Sequence, residues 1–135
     1  MWPFLTDPPS FVQFIMLIGC VVMGFSHIVR PQLWVDFFAK LHADGTPGLV
    51  SKILAVELWP ALFIVGLHQV WSGPGIVLTL YGWAQLTKVT IALLVPQVGM
   101  RSMAMAQGGT RRFVIAGYAL VGVGLSAGLA LFWPW

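Results

Sequence analysis

The stretch LVSKILAVELWPALFIVGLHQV (residues 49–70), the break WSGPG (71–75) and the run IVLTLYGWAQLTKVTIALLV (76–95) decide the fold of this chain. Each apolar run has about the ~20 residues that a helix needs to cross ~30 Å of hydrocarbon. The Ser72-Gly73-Pro74-Gly75 break is too short for anything but a tight turn, so the two helices are antiparallel neighbours. Outward from this hairpin, residues 11–29 and 113–132 form two further runs of the same kind. The expected architecture is an all-α integral membrane four-helix bundle. It is a single transmembrane domain over residues 1–135, with spans at about 11–29, 49–70, 76–95 and 113–132.

Composition agrees with this reading. The chain is 59% hydrophobic and 8% charged, with a mean hydropathy of +0.89, whereas ordinary soluble domains carry roughly 25% charged residues. A water-soluble fold of this length has no interior large enough for so much apolar surface. The spans use up the length, so any site must lie inside the bundle or at its rims. The net charge of +3 is spread over loops and borders without a clustered stripe, which excludes nucleic acid as the expected partner. Cys20 is the single cysteine and falls within the first run, so neither a disulfide framework nor a thiolate metal site is expected from one chain. The first ten residues hold Asp7 and three prolines but no Lys or Arg, the opposite of a signal peptide's basic region, so the first span is expected to stay in the mature protein.

Orientation follows from the basic residues. Arg30, Lys40 and Lys52 lie between or beside the first two spans, and Arg101, Arg111 and Arg112 lie between the last two. The N-terminus, the 72–75 turn and the C-terminus carry none, so both basic loops are expected in the cytoplasm and both termini outside. Trp2, Trp71, Trp133 and Trp135 gather at the outer surface as interfacial anchors, while Trp59 and Trp83 sit deeper.

Between the first two spans, Pro31 suits the first position of a short helix over about 31–42. Leu33, Trp34, Phe37, Phe38 and Leu41 recur on one side, and Gln32, Asp36 and Lys40 on the other. This is an amphipathic interfacial helix with Trp34, Phe37 and Phe38 as anchors; a docking or lipid-sensing face is the alternative. Asp44-Gly45-Thr46-Pro47 then reads as a turn and a helix start.

The fourth span is rich in small residues: Gly117, Gly122, Gly124, Ser126 and Gly128. Gly124 and Gly128 form a GxxxG, and Gly122 with Ser126 a second small pair. The close contact they permit is either inside the bundle or with another chain. No repeat relates the two halves, so an inverted-repeat transporter within one chain is not expected.

Chemistry is expected at Glu57 and Lys88. A hairpin folded about Gly73 sets Glu57 level with Val89, next to Lys88, and each isolated charge would cost ~2.5–3.5 kcal/mol at a span centre. An ion pair facing the interior avoids that cost. Pro60 removes a backbone donor and leaves the Val56 carbonyl without its usual partner beside Glu57. Tyr81, Gln85 and Lys88 share one face of the third span, with Thr87 and Thr90 either pointing inward or bonding to their own helix. Glu57, Ala61, Ile64 and His68 share a face of the second. The expectation is a polar seam from His68 near the outer surface to Glu57 near the inner one, serving either to fix helix register or as a path for a proton or substrate.

His27, His42 and His68 do not lie at one depth as a bis-histidine haem requires. Met100, Met103 and Met105 have the thioethers of copper motifs but fit an apolar interfacial patch more simply. No cofactor and no metal are expected. No nucleophile–base pair, phosphate loop or metal-ligand spacing is visible, which weighs against an enzyme.

The residues His68-Gln-Val-Trp71-Ser-Gly73-Pro74, followed by Thr79, Gly82-Trp83, Lys88 and Pro96, resemble a pattern of small, uncharacterised four-span bacterial inner-membrane proteins. The resemblance runs from His27 and the segment Arg30-Pro31 to Trp34 through the third span, and the fourth matches in character only. It implies a fold and a bacterial inner-membrane location, but no activity and no residue role. The expected function is a non-enzymatic scaffold or accessory subunit that packs in the bilayer as a homo-oligomer or with other membrane subunits. The alternative is a small proton- or ion-coupled transporter or channel using Glu57, Lys88, Gln85, Tyr81 and His68.

Overall fold

The computed structural model describes residues 6–133. Four helices are long and apolar enough to cross a membrane: α1 (Pro8–Val29), the continuous helix Thr46–Leu67, α5 (Gly75–Leu94) and α7 (Arg111–Leu131). The second of these is built from α3 (Thr46–Lys52), a π turn (Ile53–Glu57) and α4 (Leu58–Leu67). Two shorter helices complete the set, α2 (Pro31–Ala43) and α6 (Pro96–Ala106). The protein is an all-α bundle whose long helices have the length and composition of a multi-pass membrane protein.

Helix limits follow local chemistry. α1 begins three residues before its apolar run because the Asp7 carboxylate accepts from the Ser10 amide at 3.1 Å and Pro8 needs no donor in the first turn. Pro31 and Pro96 each open a helix at N1. For α6 this turns a stretch expected as loop into an amphipathic helix. Met103 there packs into a core of Leu49, Ile53, Val89 and Ala92, Met100 lies against it, and Met105 is exposed. The three methionines thus do not form one patch. Gly45 and Gly73 take positive φ at the turns into α3 and α5, where a side chain would be strained.

The bundle is two antiparallel helix pairs. α1 and α7 make the most extensive contact in the molecule. Cβ atoms added at Gly24 or Gly117 would lie 2.7 Å from the other residue's carbonyl oxygen, and one at Gly124 would lie 2.9 Å from Val21. Gly128 packs on Leu17. The small residues of the fourth span therefore serve packing inside the chain. Gly122 is the exception: nothing lies within 4 Å of its added Cβ, and Ser126, one turn on, bonds back to the Gly122 carbonyl at 2.9 Å. This second small pair faces away because a helix that turns Gly117, Gly124 and Gly128 to α1 carries positions 122 and 126 on its other flank. The other pair, α4 with α5, closes where Gly82 meets Ile64.

The pairs join firmly at one end only. There, Val12, Met16 and Cys20 of α1, Ile64 of α4, Leu78 of α5 and Ala127 of α7 form a common core. At the other end, which carries Arg30, Lys40, Arg101, Arg111 and Arg112 and is called the basic end below, the Met103 core ties α3, the π turn, α5 and α6 without α1 or α7. α2 crosses that end between the two pairs.

Candidate functional site: a charged cluster in an internal cleft

Pro60 has no amide hydrogen, and its ring would strike the Val56 carbonyl in a regular α-helix. The helix widens just before it, and the Leu58 amide bonds to the Ile53 carbonyl, five residues back. This π turn rotates the preceding residues, and Lys52 arrives on the same side as Glu57. Lys52 Nζ and Lys88 Nζ both donate to Glu57 Oε1, at 3.3 and 3.2 Å. Side-chain exposure grades outward, from 5% for Lys52 to 12% for Glu57 and 52% for Lys88. Lys52 also stands 5.3 Å above the Phe38 ring. With both lysines protonated, two ammonium groups share one carboxylate and the cluster carries a net positive charge.

The cluster faces a cavity of about 570 Å³ between the helix pairs. Tyr81, Gln85 and Lys88 line it from α5, and Lys52 and Glu57 from the second long helix. Ile15, Met16, Met23, Val56, Leu120 and Val123 form apolar walls. Thr87 and Thr90 take no part, since both hydroxyls bond back to their own helix, to the carbonyls of Trp83 and Leu86. Two acceptors at the polar end are shut off from solvent and receive no hydrogen bond: Glu57 Oε2 and Gln85 Oε1. Buried polar atoms of this kind are normally paired; these two are closed off from the cleft as well as from bulk water.

The exposed members of the lining mark where the cleft opens. Ile15 and Gly19 of α1 and Val56 of the π turn lie on one side, and Lys88, Ala116 and Ala119 on the other. It thus opens laterally between α1 and the second long helix, and between α5 and α7. At the basic end it is closed by aromatic rings. Trp34 stacks on His27 with centroids 4.2 Å apart and donates its indole hydrogen to Ser26 Oγ at 2.9 Å, and Phe38 packs on Phe113 at 5.3 Å. The His27 ring is also held to the Met23 carbonyl at 2.6 Å.

Trp34 and Phe38, expected as interfacial anchors, turn toward the cleft, because His27 and Phe113 offer ring partners there; Phe37 lines it while partly exposed. Trp71 and Trp133 are exposed at the opposite end, Trp133 lying against Gly73. Trp2 and Trp135 lie outside the described residues.

His68 stands apart from the Glu57 cluster. The seam expected between them is interrupted by Ala61, Ile64 and Leu78, all fully buried and apolar. His68 instead joins a second buried group. The Gln13 amide donates to His68 Nε2 at 3.0 Å, His68 Nδ1–H donates to Thr79 Oγ1 at 3.0 Å, and the Thr79 hydroxyl donates to the Val70 carbonyl at 2.7 Å. Every link is satisfied with a neutral imidazole. His68 is one residue beyond the second long helix, and burial pushes its pKa below the ordinary histidine value. This chain clamps α1 to the α4–α5 turn at the end where the helix pairs join. Gln13 carries no signal in the sequence, since a single amide in an apolar run names no partner.

Lys52 is the other residue of the candidate site that the sequence did not reveal. Its position near a span border reads as a loop charge, and its spacing from Glu57 matches no α-helical pair. The signal was Pro60, which displaces the turn before it.

No protein-family model, no curated protein and no solved structure matches this chain.

Proposed function

We propose that this chain is a small transporter of the bacterial inner membrane that takes an anionic, membrane-soluble substrate into the cleft between its helix pairs. The observation that carries this reading is Glu57 holding both Lys52 and Lys88 at the polar end of a cavity that opens sideways between spanning helices. Under the positive-inside rule the basic end faces the cytoplasm and both termini face outward. The cluster then lies in the cytoplasmic half of the bilayer, beneath the aromatic lid of α2.

Charge sets the chemistry of the substrate. With both lysines protonated the cluster is one charge positive, and a bound monoanion neutralises it. Glu57 stabilises the two ammonium groups and shares them with the anion on binding. Lys88, half exposed at one mouth, makes the first contact, and Lys52 completes the site from within. Apolar walls and lateral mouths favour a substrate that arrives through lipid.

Liposomes containing the purified protein and an acyl-labelled fluorescent phosphatidylmethanol test this, with external dithionite reporting the label's movement between leaflets. Wild-type protein is expected to move the anionic lipid faster than protein-free liposomes. The Lys88→Gln variant, which keeps the buried Lys52–Glu57 pair but loses the excess charge, is expected to lose most of that rate. Wild-type rates equal to those of protein-free liposomes would rule the transporter out.

A reading as an accessory subunit or homo-oligomer retains one observation. Gly122 and Gly66 stand on helix faces with nothing within 4 Å of an added Cβ, which leaves room for a closely approaching helix from another chain.

A further inference from the structure

We infer that the cleft accepts a lipid headgroup with one fixed negative charge, as a phosphate diester has, and turns away the doubly charged phosphate monoester. The inference rests on the transporter reading and specifies the charge that its site selects.

Charge on the cleft wall is confined to one group. Among the described residues, Glu57 is the only acid that lines the cavity, and Lys52 and Lys88, both held on its Oε1 at 3.3 and 3.2 Å, are the only lysines. The other titratable side chains of the lining are Cys20 and His27 of α1 and Tyr81 of α5, while α2 and α7 bring none. With both lysines protonated the group is one charge positive. One further negative charge balances it, and a second exceeds it. Ile15, Met16, Met23, Leu120 and Val123 surround the cavity, and a charge left unbalanced among apolar side chains of spanning helices is costly.

Phosphate chemistry separates two classes of lipid on this count. A diester such as phosphatidylglycerol or phosphatidylmethanol carries a single charge, whereas a monoester such as phosphatidic acid carries about −1.5 to −2 at pH 7. The diester brings the group to neutrality as it stands. The monoester must first take up a proton, which settles on the phosphate itself, since its second ionisation lies above the ordinary carboxylate range. One pH unit above that ionisation, only about a tenth of the monoester is in the accepted form.

The openings supply the route. Lys88, 52% exposed on the side of Ala116 and Ala119, offers a cation that a headgroup reaches while its acyl chains stay in the bilayer. Lys52 and Glu57, deeper in the wall, act on the headgroup through their charge. A cavity of about 570 Å³ has the size of a small-molecule site and takes the headgroup with the start of its chains.

The test uses the full chain in phosphatidylcholine nanodiscs doped with equal amounts of phosphatidylmethanol and phosphatidic acid of the same acyl chains. Phosphorus NMR gives the second ionisation of the monoester in the same discs, and mass spectrometry measures the lipid retained after transfer to detergent. Both lipids meet the same protein, so their ratio cancels titration of His27 and the other lining groups. The two are expected to be retained alike one pH unit below that ionisation, with phosphatidylmethanol favoured about tenfold one unit above it. Ala116→Lys, which adds a positive charge at the mouth and leaves the Lys52–Glu57–Lys88 group intact, is expected to abolish the preference at the higher pH. Excess dimethyl phosphate, a diester without chains, is expected to displace neither lipid.

A ratio that does not change with pH in the wild-type protein would overturn the charge selection and leave the transporter reading in place. A tenfold preference that persists in Ala116→Lys would overturn the charge count as its cause, and displacement by dimethyl phosphate would overturn the lipid as the source of the headgroup. Retention of neither anionic lipid above phosphatidylcholine at any pH would overturn both the inference and the reading beneath it.

Discussion

Lys52 and Glu57 meet at 3.3 Å on one continuous helix, although an α-helix sets positions five apart about 140° around its axis. The π turn before Pro60 removes that offset. The buried cation and its carboxylate thus come from one helix, and Lys88 arrives from the neighbouring one. The arrangement makes the three residues unequal in their effect on folding.

Glu57→Gln leaves two ammonium groups side by side, one of them buried, and is expected to cost about 3–5 kcal/mol. Lys52→Met removes the most deeply placed charge and leaves the Glu57–Lys88 pair, so it is expected to stay within about 1 kcal/mol of wild type. Unfolding in mixed detergent micelles measures both. Equal losses in the two variants would contradict the shared-carboxylate geometry.

Pro60→Ala restores a backbone donor for the Val56 carbonyl. The π turn is expected to relax to α-helix, which swings Lys52 away from Glu57. Hydrogen exchange over residues 53–60 should slow, and retention of anionic lipid should fall. Unchanged exchange would show that Pro60 does not cause the widened turn.

Gly117→Val places a branched side chain against the Gly24 carbonyl and is expected to cost about 1–3 kcal/mol. Gly122→Val, on the open flank of the same helix, is expected to stay within about 0.5 kcal/mol. Comparison of their melting temperatures in mild detergent checks the assignment of the two flanks. A Gly122→Val variant that lost a homo-oligomer by light scattering would instead favour the accessory-subunit reading.

The Gln13–His68–Thr79 chain makes stability depend on pH. His68 has a lowered pKa in the folded protein, so the unfolded state binds the extra proton first as pH falls. Its contribution is complete above the ordinary histidine value of about 6.5 and is lost progressively below it. Melting temperature is expected to drop between pH 7.5 and 5.5, and His68→Gln should be less stable at pH 7.5 with a shallower slope. Thr79→Val, which strands the imidazole hydrogen, is expected to cost about 1–3 kcal/mol.

The four long helices were legible because length and hydropathy are properties of single segments. The pairing of Glu57 with Lys88 was legible too, since a turn as short as 72–75 sets the depth of both residues. Lys52 was not, because the π turn breaks the spacing on which helix-face arguments depend. α6 was missed for a different reason: the exposed Arg101 and Ser102 interrupt its apolar run, and Pro96 reads equally as a stop or a start. His68 was placed on the right helix face but in the wrong group, since only tertiary packing brings Gln13 and Thr79 to it. The small residues of the last span announced a close contact without saying which of two flanks makes it.

The cleft itself is tested most directly by photolabelling. A phosphatidylglycerol with a diazirine in its acyl chain, reconstituted with the protein and irradiated, reports which residues the chain touches. Adducts on the cleft residues Met16, Met23 and Val123, reduced by excess unlabelled phosphatidylglycerol, are the expected result. Adducts confined to the outward-facing residues Ile18, Val22 and Leu129, and unaffected by competitor, would contradict it.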